Sequence, residues 1–226
     1  MKPKISIVIP VLNEAGNLPI VLQGLQSFRA DCELIVVDGG STDASAKLAE
    51  PLADKVLAAA RGRAKQMSLG ATHAQAEILL FLHADTFLPD AAVSRILQAV
   101  ERGYCWGRFD VSFDNPTFLF ELIAWMMNNR SRLTGIATGD QALFVTRSAF
   151  EAIGGFPDIA LMEDIAISAR LKKLAPPCCL TEKVTTSARR WQRHGALKTI
   201  LSMWRLRLAY FFGADPDDLA ARYYRS

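Results

Sequence analysis

Cysteine, histidine and net charge are all scarce in this sequence, and each scarcity removes a class of function. The four cysteines, Cys32, Cys105, Cys178 and Cys179, lack the paired two-residue spacings of a zinc site. The vicinal pair cannot readily bridge to itself, so all four are read as reduced thiols. The three histidines, His73, His83 and His194, show no clustered spacing, which argues against a histidine-built zinc centre. A formal charge of +3 is too small to imply nucleic acid, because phosphate-backbone binding takes a dense Lys/Arg face.

Long apolar runs are missing as well. No stretch reaches the roughly 18 to 20 apolar residues of a spanning helix. Glu121 interrupts Phe118 to Met127, and Arg205 and Arg207 interrupt the C-terminal run. Near the start, Ile5 to Leu12 is broken by Pro10 and closed by Asn13-Glu14 without a small-residue cleavage pattern, so a buried first strand fits better than a signal sequence. The expectation is a cytoplasmic protein, free or peripheral on the inner face of the membrane. Neither a P-loop nor a Rossmann glycine pattern is present, which weakens ATPase and dehydrogenase readings. No repeat and no Pro/Gly-rich linker divides the chain.

What remains is a chain of 226 residues, half of them hydrophobic and 22% charged, enough to bury a core within one α/β domain. Its first hundred residues alternate short apolar runs with helix-period segments, as βαβ units around a mostly parallel sheet do. Strands are expected at Ile5 to Ile9, Leu34 to Val37, near Val56-Leu57 and at Ile78 to Leu82, each followed by a helix. Beyond Tyr104 the rhythm changes. A strand is expected at Arg108 to Phe113, a helix from Pro116 to Leu133, a strand at Gln141 to Val145 and helices at Ile165 to Leu174 and Leu197 to Phe212, with Cys178 to Ser187 irregular or extended. The organisation read from this is one domain: 1–103 as a nucleotide half, 104–192 as an acceptor half and 193–226 as a helical C-terminal segment.

Ligands of open α/β sheets bind beyond the carboxyl ends of the strands. Three apolar runs end in polar clusters of that kind: Pro10-Val11-Leu12-Asn13-Glu14, Asp38-Gly39-Gly40-Ser41-Thr42-Asp43, and His83-Ala84-Asp85-Thr86. Singly, each is explained as well by turn and cap chemistry. Together they resemble the family 2 glycosyltransferases, enzymes of the GT-A fold with a Rossmann-like nucleotide half and a mixed acceptor half.

That resemblance implies a sugar transfer, with inversion, from a nucleotide diphosphate, expected to be UDP-linked, to an acceptor hydroxyl. It implies that Pro10, Val11, Leu12, Glu14, Asp38 and Ala84 hold the nucleotide, and that Asp85 binds a divalent ion, Mn²⁺ or Mg²⁺. His83 replaces the first Asp of the family's metal motif. A hard cation takes oxygen ligands, several from the diphosphate, so one protein carboxylate suffices. Arg63, opening a helix within Arg61-Gly62-Arg63-Ala64-Lys65, is assigned to the diphosphate, with a solvated basic turn as the plain alternative.

In the acceptor half, the resemblance implies that Met162-Glu163-Asp164 supplies the base. Asp164 is the choice and Glu163 its rival, while helix capping is the plain alternative. Gly139, Asp140 and Gln141 are expected to line the acceptor pocket. Ser187-Ala188-Arg189-Arg190-Trp191 is similar to the Gln-x-x-Arg-Trp motif of processive members without its Gln, which argues against a polymerising synthase. Arg190 is expected to neutralise the departing diphosphate, and Trp191 to stack on a sugar or anchor a helix. The short length and this ending resemble a small bacterial subgroup linked by genome context to arsenosugar biosynthesis.

The last long helix carries Leu197, Ile200, Leu201, Trp204, Leu208, Phe211 and Phe212 beside Lys198, Arg205 and Arg207, with Arg189, Arg190 and Arg193 before it. Such a face rests on an anionic membrane, which suits a lipid-linked or hydrophobic acceptor, or else packs on the body or in a homodimer. Competing readings are a nucleotidyltransferase, a non-catalytic nucleotide-sugar binding module and a glycoside hydrolase. The last leaves the first two turns without work.

Overall fold

A computed structural model describes residues 2–225. The side chains of Arg190, Arg193, His194, Leu197, Tyr224 and Arg225 lie outside the described residues. In chain order the elements are β1 (Ile5–Val11), α1 (Leu18–Gly24), β2 (Cys32–Asp38), α2 (Ser45–Ala49), β3 (Lys55–Ala58), α3 (Arg63–His73), β4 (Ile78–Phe81), β5 (Thr86–Phe87) and α4 (Ala92–Glu101). There follow β6 (Trp106–Phe113), α5 (Phe118–Thr134), β7 (Leu143–Thr146), α6 (Arg147–Ala152), α7 (Glu163–Leu174), β8 (Cys178–Thr186), α8 (Arg189–His194), α9 (Ala196–Phe211) and α10 (Pro216–Arg225).

The eight strands form one sheet in the order β3-β2-β1-β4-β7-β6-β8-β5. The first four are parallel, β7 runs antiparallel to both β4 and β6, β8 is parallel to β6, and β5 is antiparallel to β8. The first four strands therefore form the expected parallel sheet, and the later strands a mixed one. Strands β1 and β2 are buried along their whole length, the mark of a sheet covered on both faces. Alternation along each strand sends side chains to opposite layers. Ile5, Ile7, Ile9, Leu34 and Val36 pack with α1, α4 and α5, whereas Val8, Ile35 and Val37 pack with α3, α6 and α7.

Gly70 shows how close α3 comes: a Cβ there would fall inside the Val8 side chain. From the same helix, buried Gln66 donates to the carbonyls of Val11 and Val37, both at 2.8 Å, and ties together the ends of the two strands whose following turns face the site.

Several elements were not anticipated. Strand β5 is only two residues, but it pins the segment after Asp85 to the end of β8, with Thr86 paired to Thr186. Gly139–Gln141 is a 3-10 turn rather than the start of β7. Short α6 and α8 and the C-terminal α10 carried too few turns of apolar periodicity to be read. Leu206 of α9 and Leu219 and Ala220 of α10 pack on Leu161 and Met162, so the C-terminal helices brace the segment that leads into α7.

Candidate active site

A cavity of about 730 Å³ opens beyond the carboxyl ends of β1 and β4. Its walls come from Pro10 to Leu12 and Glu14, from Arg61 to Arg63, from His83 to Asp85, from Thr138 to Asp140, from Asp158 to Ile165, and from Ser187 and Trp191. Residues far apart in sequence meet here because the turns after β1 and β4, the loop before β7 and the N-termini of α3 and α7 open on the same side of the sheet.

The first two turns are stitched to each other. Asn13 Oδ1 accepts the Thr42 amide at 2.8 Å, Ser41 Oγ accepts the Asn13 amide at 2.9 Å, and Ser45 Oγ accepts the Glu14 amide at 2.8 Å. The Asp38 carboxylate is folded onto its own turn, where it accepts the amides of Gly40 and Ser41 and the Ser41 hydroxyl. Asp38 is buried and shapes the rim from behind, whereas Pro10, Val11, Leu12, Glu14 and Ala84 line the cavity directly.

Asp85 projects from the end of β4. Burial raises the pKa of its carboxyl, and Asp140 and Glu14 add to the rise, while His83 and Arg189 oppose it. Arg189 Nη2 lies 3.2 Å from Glu14 Oε2 and 3.8 Å from Asp85 Oδ2. The sequence placed Arg189 in a basic, membrane-facing set; in the fold it instead puts a positive charge against the acidic corner. His83 Nδ1 lies 3.3 Å from Asp140 Oδ1, and Gly139 is needed beside it, because a Cβ at that position would collide with the imidazole.

Across the cavity, α7 begins with Glu163 and Asp164. Asp164 Oδ2 accepts the Gly139 amide at 2.9 Å and Oδ1 accepts the Ile165 amide at 2.8 Å. These bonds and the positive end of the helix dipole hold its carboxylate in place. Glu163 is buried. Its pKa is raised, first by burial and then by the Asp164 charge, with Arg63 pulling against both. Arg63 thus stands within electrostatic reach of the acidic pair while opening α3.

Backbone strain collects around the cavity. The non-glycine residues with positive φ among those described are Asn13 (55°), Ala142 (47°) and Met162 (70°). Each adjoins a cluster singled out from the sequence. Such conformations cost about 1–3 kcal/mol and persist where surrounding structure over-determines them, commonly at functional sites.

Asp38 and Gln141 do not line the cavity. Gln141 is fully buried, its Oε1 accepting the Thr138 amide at 3.2 Å, and it supports the loop from beneath rather than lining the pocket. The Arg190 side chain lies outside the described residues. Trp191 lines the cavity and also packs edge-on to Phe113 at 5.7 Å. Residues not anticipated in the cavity wall include Gln66, Thr199, Met203, Arg207 and Tyr223. All five come from the C-terminal helices or from a helix interior, where apolar periodicity masked them.

The glycosyl transferase family 2 model matches residues 6–152. An undecaprenyl-phosphate 4-deoxy-4-formamido-L-arabinose transferase from Proteus mirabilis is 32% identical over 113 residues, which is 45% of this chain and 35% of that one. The chain therefore spans about a third of that relative's length. Among solved structures, a mannosyltransferase from Pyrobaculum calidifontis in complex with GDP-Man and Mn²⁺ superposes with a TM-score of 0.67 at 20% identity, covering 92% of this chain and 61% of that one. S. aureus TarS (residues 1–349) in complex with UDP-GlcNAc gives 0.67 at 18% identity, covering 81% and 58%. The shared architecture is the GT-A fold. With the turns after β1 and β2, the end of β4 and the Gly139 loop all inside the matched span, this chain belongs to glycosyl transferase family 2.

Proposed function

We propose that the chain transfers a sugar from a nucleotide diphosphate sugar to an acceptor hydroxyl with inversion at the anomeric carbon. The observation that carries this is the convergence of Asp85 and Asp164, from opposite halves of the chain, on one cavity. Residues 1–103 take the donor, 104–192 the acceptor, and 193–226 brace the acceptor wall.

A divalent cation, Mn²⁺ or Mg²⁺, suits the acidic corner. Asp85 stands in surroundings made more negative by Asp140 and Glu14, with the positive charge of Arg189 beside them. Such a corner fits a hard ion that completes its shell with substrate oxygens. When bound, the ion supplies charge neutralisation of the leaving diphosphate. Asp85 would hold it, with Arg63 and the exposed amides opening α3 taking the remaining phosphate charge.

Asp164 removes the proton of the acceptor hydroxyl as the oxygen attacks the face opposite the leaving group. Its fixed carboxylate, held by the Gly139 and Ile165 amides, supports this role better than Glu163, whose burial disfavours its charged form. The donor itself is either UDP- or GDP-linked in the structural relatives. The test is a panel of nucleotide sugars with Mn²⁺, read by release of free nucleoside diphosphate. Release of pyrophosphate instead would favour a nucleotidyltransferase, and binding without turnover would favour a binding module.

The outer face of α9 supports peripheral membrane contact. Leu201, Trp204, Leu208, Phe211 and Phe212 are exposed, Trp204 by 71% and Phe211 by 81%, and exposed Lys198 and Arg205 flank them. No described helix is long and apolar enough to cross a membrane. An apolar stripe with basic edges fits an anionic lipid surface. Co-sedimentation with anionic but not neutral vesicles is expected, whereas concentration-dependent dimerisation without vesicle binding would assign the face to a second copy.

A further inference from the structure

At position 83 the chain departs from the acidic metal motif it otherwise resembles: His83 stands two residues before Asp85, and an imidazole there takes one carboxylate away from the ion's seat. What that imidazole touches is specific. Its Nδ1 lies 3.3 Å from Asp140 Oδ1, and its side chain is only 14% exposed. Its other edge lies against the Gly139 backbone, where an added Cβ would come within 2.4 Å of both Cε1 and Nε2. The ring is therefore seated on the Gly139–Gln141 3-10 turn, and glycine at 139 leaves the room for it.

That turn is anchored on both sides of Asp140. The Gly139 amide donates to Asp164 at 2.9 Å, and fully buried Gln141 accepts the Thr138 amide at 3.2 Å and donates to Asn128 Oδ1 at 3.4 Å. Asp140 is thus a carboxylate on a fixed loop, 39% exposed in a cavity wall it shares with Asp85. His83 joins the end of β4 to this loop, so the two carboxylates open on one space. The Asp140 charge accordingly helps to raise the pKa of Asp85. Carboxylates that oppose each other's ionisation in this way are stabilised together by a cation.

We infer that Asp140 is the second protein carboxylate of the divalent-ion seat, supplied by the loop before β7 in place of the carboxylate missing at position 83, with His83 as the positioning residue that orients it. This rests on the reading of Asp85 as a ligand of that ion. A hard ion takes oxygen in preference to imidazole nitrogen, so the carboxylate binds and the histidine behind it sets its direction. The seat of the ion and the base then share one turn, because Gly139, next to Asp140, holds Asp164.

The test uses the full chain and Mn²⁺ itself, with bound and free ion read by electron paramagnetic resonance in saturating UDP and then in saturating GDP. Asp140→Asn keeps the size of the side chain and is expected to weaken Mn²⁺ binding roughly tenfold or more, with metal-free nucleotide affinity unchanged. His83→Asn, which leaves the carboxylate but not its orientation, is expected to weaken it by a smaller factor. Adding His83→Asp to Asp140→Asn returns a carboxylate to position 83 and is expected to recover most of the lost affinity. Wild-type Mn²⁺ affinity in Asp140→Asn, or a double variant no better than Asp140→Asn alone, overturns the assignment. So does a nitrogen hyperfine coupling from the His83 ring on the bound Mn²⁺, which would make the histidine the ligand. Metal-free nucleotide binding is measured for every variant as a check on the fold; if the double variant loses it, Asp140→Asn alone decides. A wild type whose binding of both nucleotides is indifferent to Mn²⁺ would instead refute the ion, and with it the reading of Asp85, whatever Asp140 does.

Discussion

The backbone amide of Gly139 donates to Asp164 Oδ2 at 2.9 Å, so the loop that carries Asp140 and the N-terminus of α7 share one hydrogen bond. The bond fixes the carboxylate that we assign as base. Asp164→Asn keeps the side-chain shape but cannot accept a proton at neutral pH. It is expected to lower the transfer rate ~10²- to 10⁴-fold while leaving nucleotide affinity near wild type. Steady-state transfer alongside nucleotide titration checks this, and near-normal turnover would move the base elsewhere.

Arg189 occupies the place where a cation is expected. Its guanidinium, 3.2 Å from Glu14 and 3.8 Å from Asp85, is half exposed, so its contribution is discounted to that of a surface pair. Arg189→Ala is expected to tighten Mn²⁺ binding by roughly two- to fivefold. Asp85→Ala should instead abolish the metal dependence of nucleotide binding. Calorimetry of UDP with and without Mn²⁺ separates the two outcomes, and unchanged metal dependence in Asp85→Ala would remove it as a ligand.

Glu163 ties stability to pH. Burial first, and the neighbouring Asp164 charge second, raise its folded pKa above the ordinary carboxylate value. The folded state therefore binds its proton more tightly than the unfolded chain. The resulting stability is fully present below the unfolded pKa and is lost as pH rises through the folded one. Thermal melts should show the wild type losing stability across that window and Glu163→Gln losing less, with the gap widening as pH rises. Asp85, raised in the same direction, leaves a residual slope in the variant. Parallel melting curves at all pH values would contradict the assignment.

Beneath α5, Asp110 accepts from Arg108, which is fully buried, and from Arg132 at 2.6 Å. Asp110→Asn removes the one carboxylate between two cations. Breaking a buried pair from one side costs about 3–5 kcal/mol, so a clear drop in Tm is expected. Because Arg108 also donates to the Asn128 carbonyl and Asn128 pairs with Val111, the damage should spread into the β6–α5 layer and reach the neighbouring Arg130. A variant as stable as wild type would show that this charge network contributes little.

Legibility differed along the chain for physical reasons. Strands β1, β2 and β4 were readable because apolar runs bounded by turn residues can be little else in a buried sheet. Their following turns were readable because Asn, Asp, Gly and Ser at strand ends carry both turn chemistry and ligand chemistry. That ambiguity is real: Asp38 turned out to brace its own turn, while Glu14 and Asp85 face the cavity. Two-residue β5 and the short helices lacked enough residues to show a period. Gln141 was misplaced because a 3-10 turn, with about three residues per turn, does not alternate side chains between two faces as a strand does, and its third residue turns inward.

The sequence alone determined the alternating α/β order, the parallel first half and the identities of the acidic residues that meet at the sheet's edge, since these follow from local periodicity and turn preference. Only the tertiary structure decided which charges meet. Arg207 and Arg205 are two positions apart on one helix, yet one faces the cavity and the other solvent. Helical rotation sets their opposite directions, but which direction is inward depends on where α9 docks, and that docking is fixed by Leu206 packing on residues more than forty positions earlier in the chain.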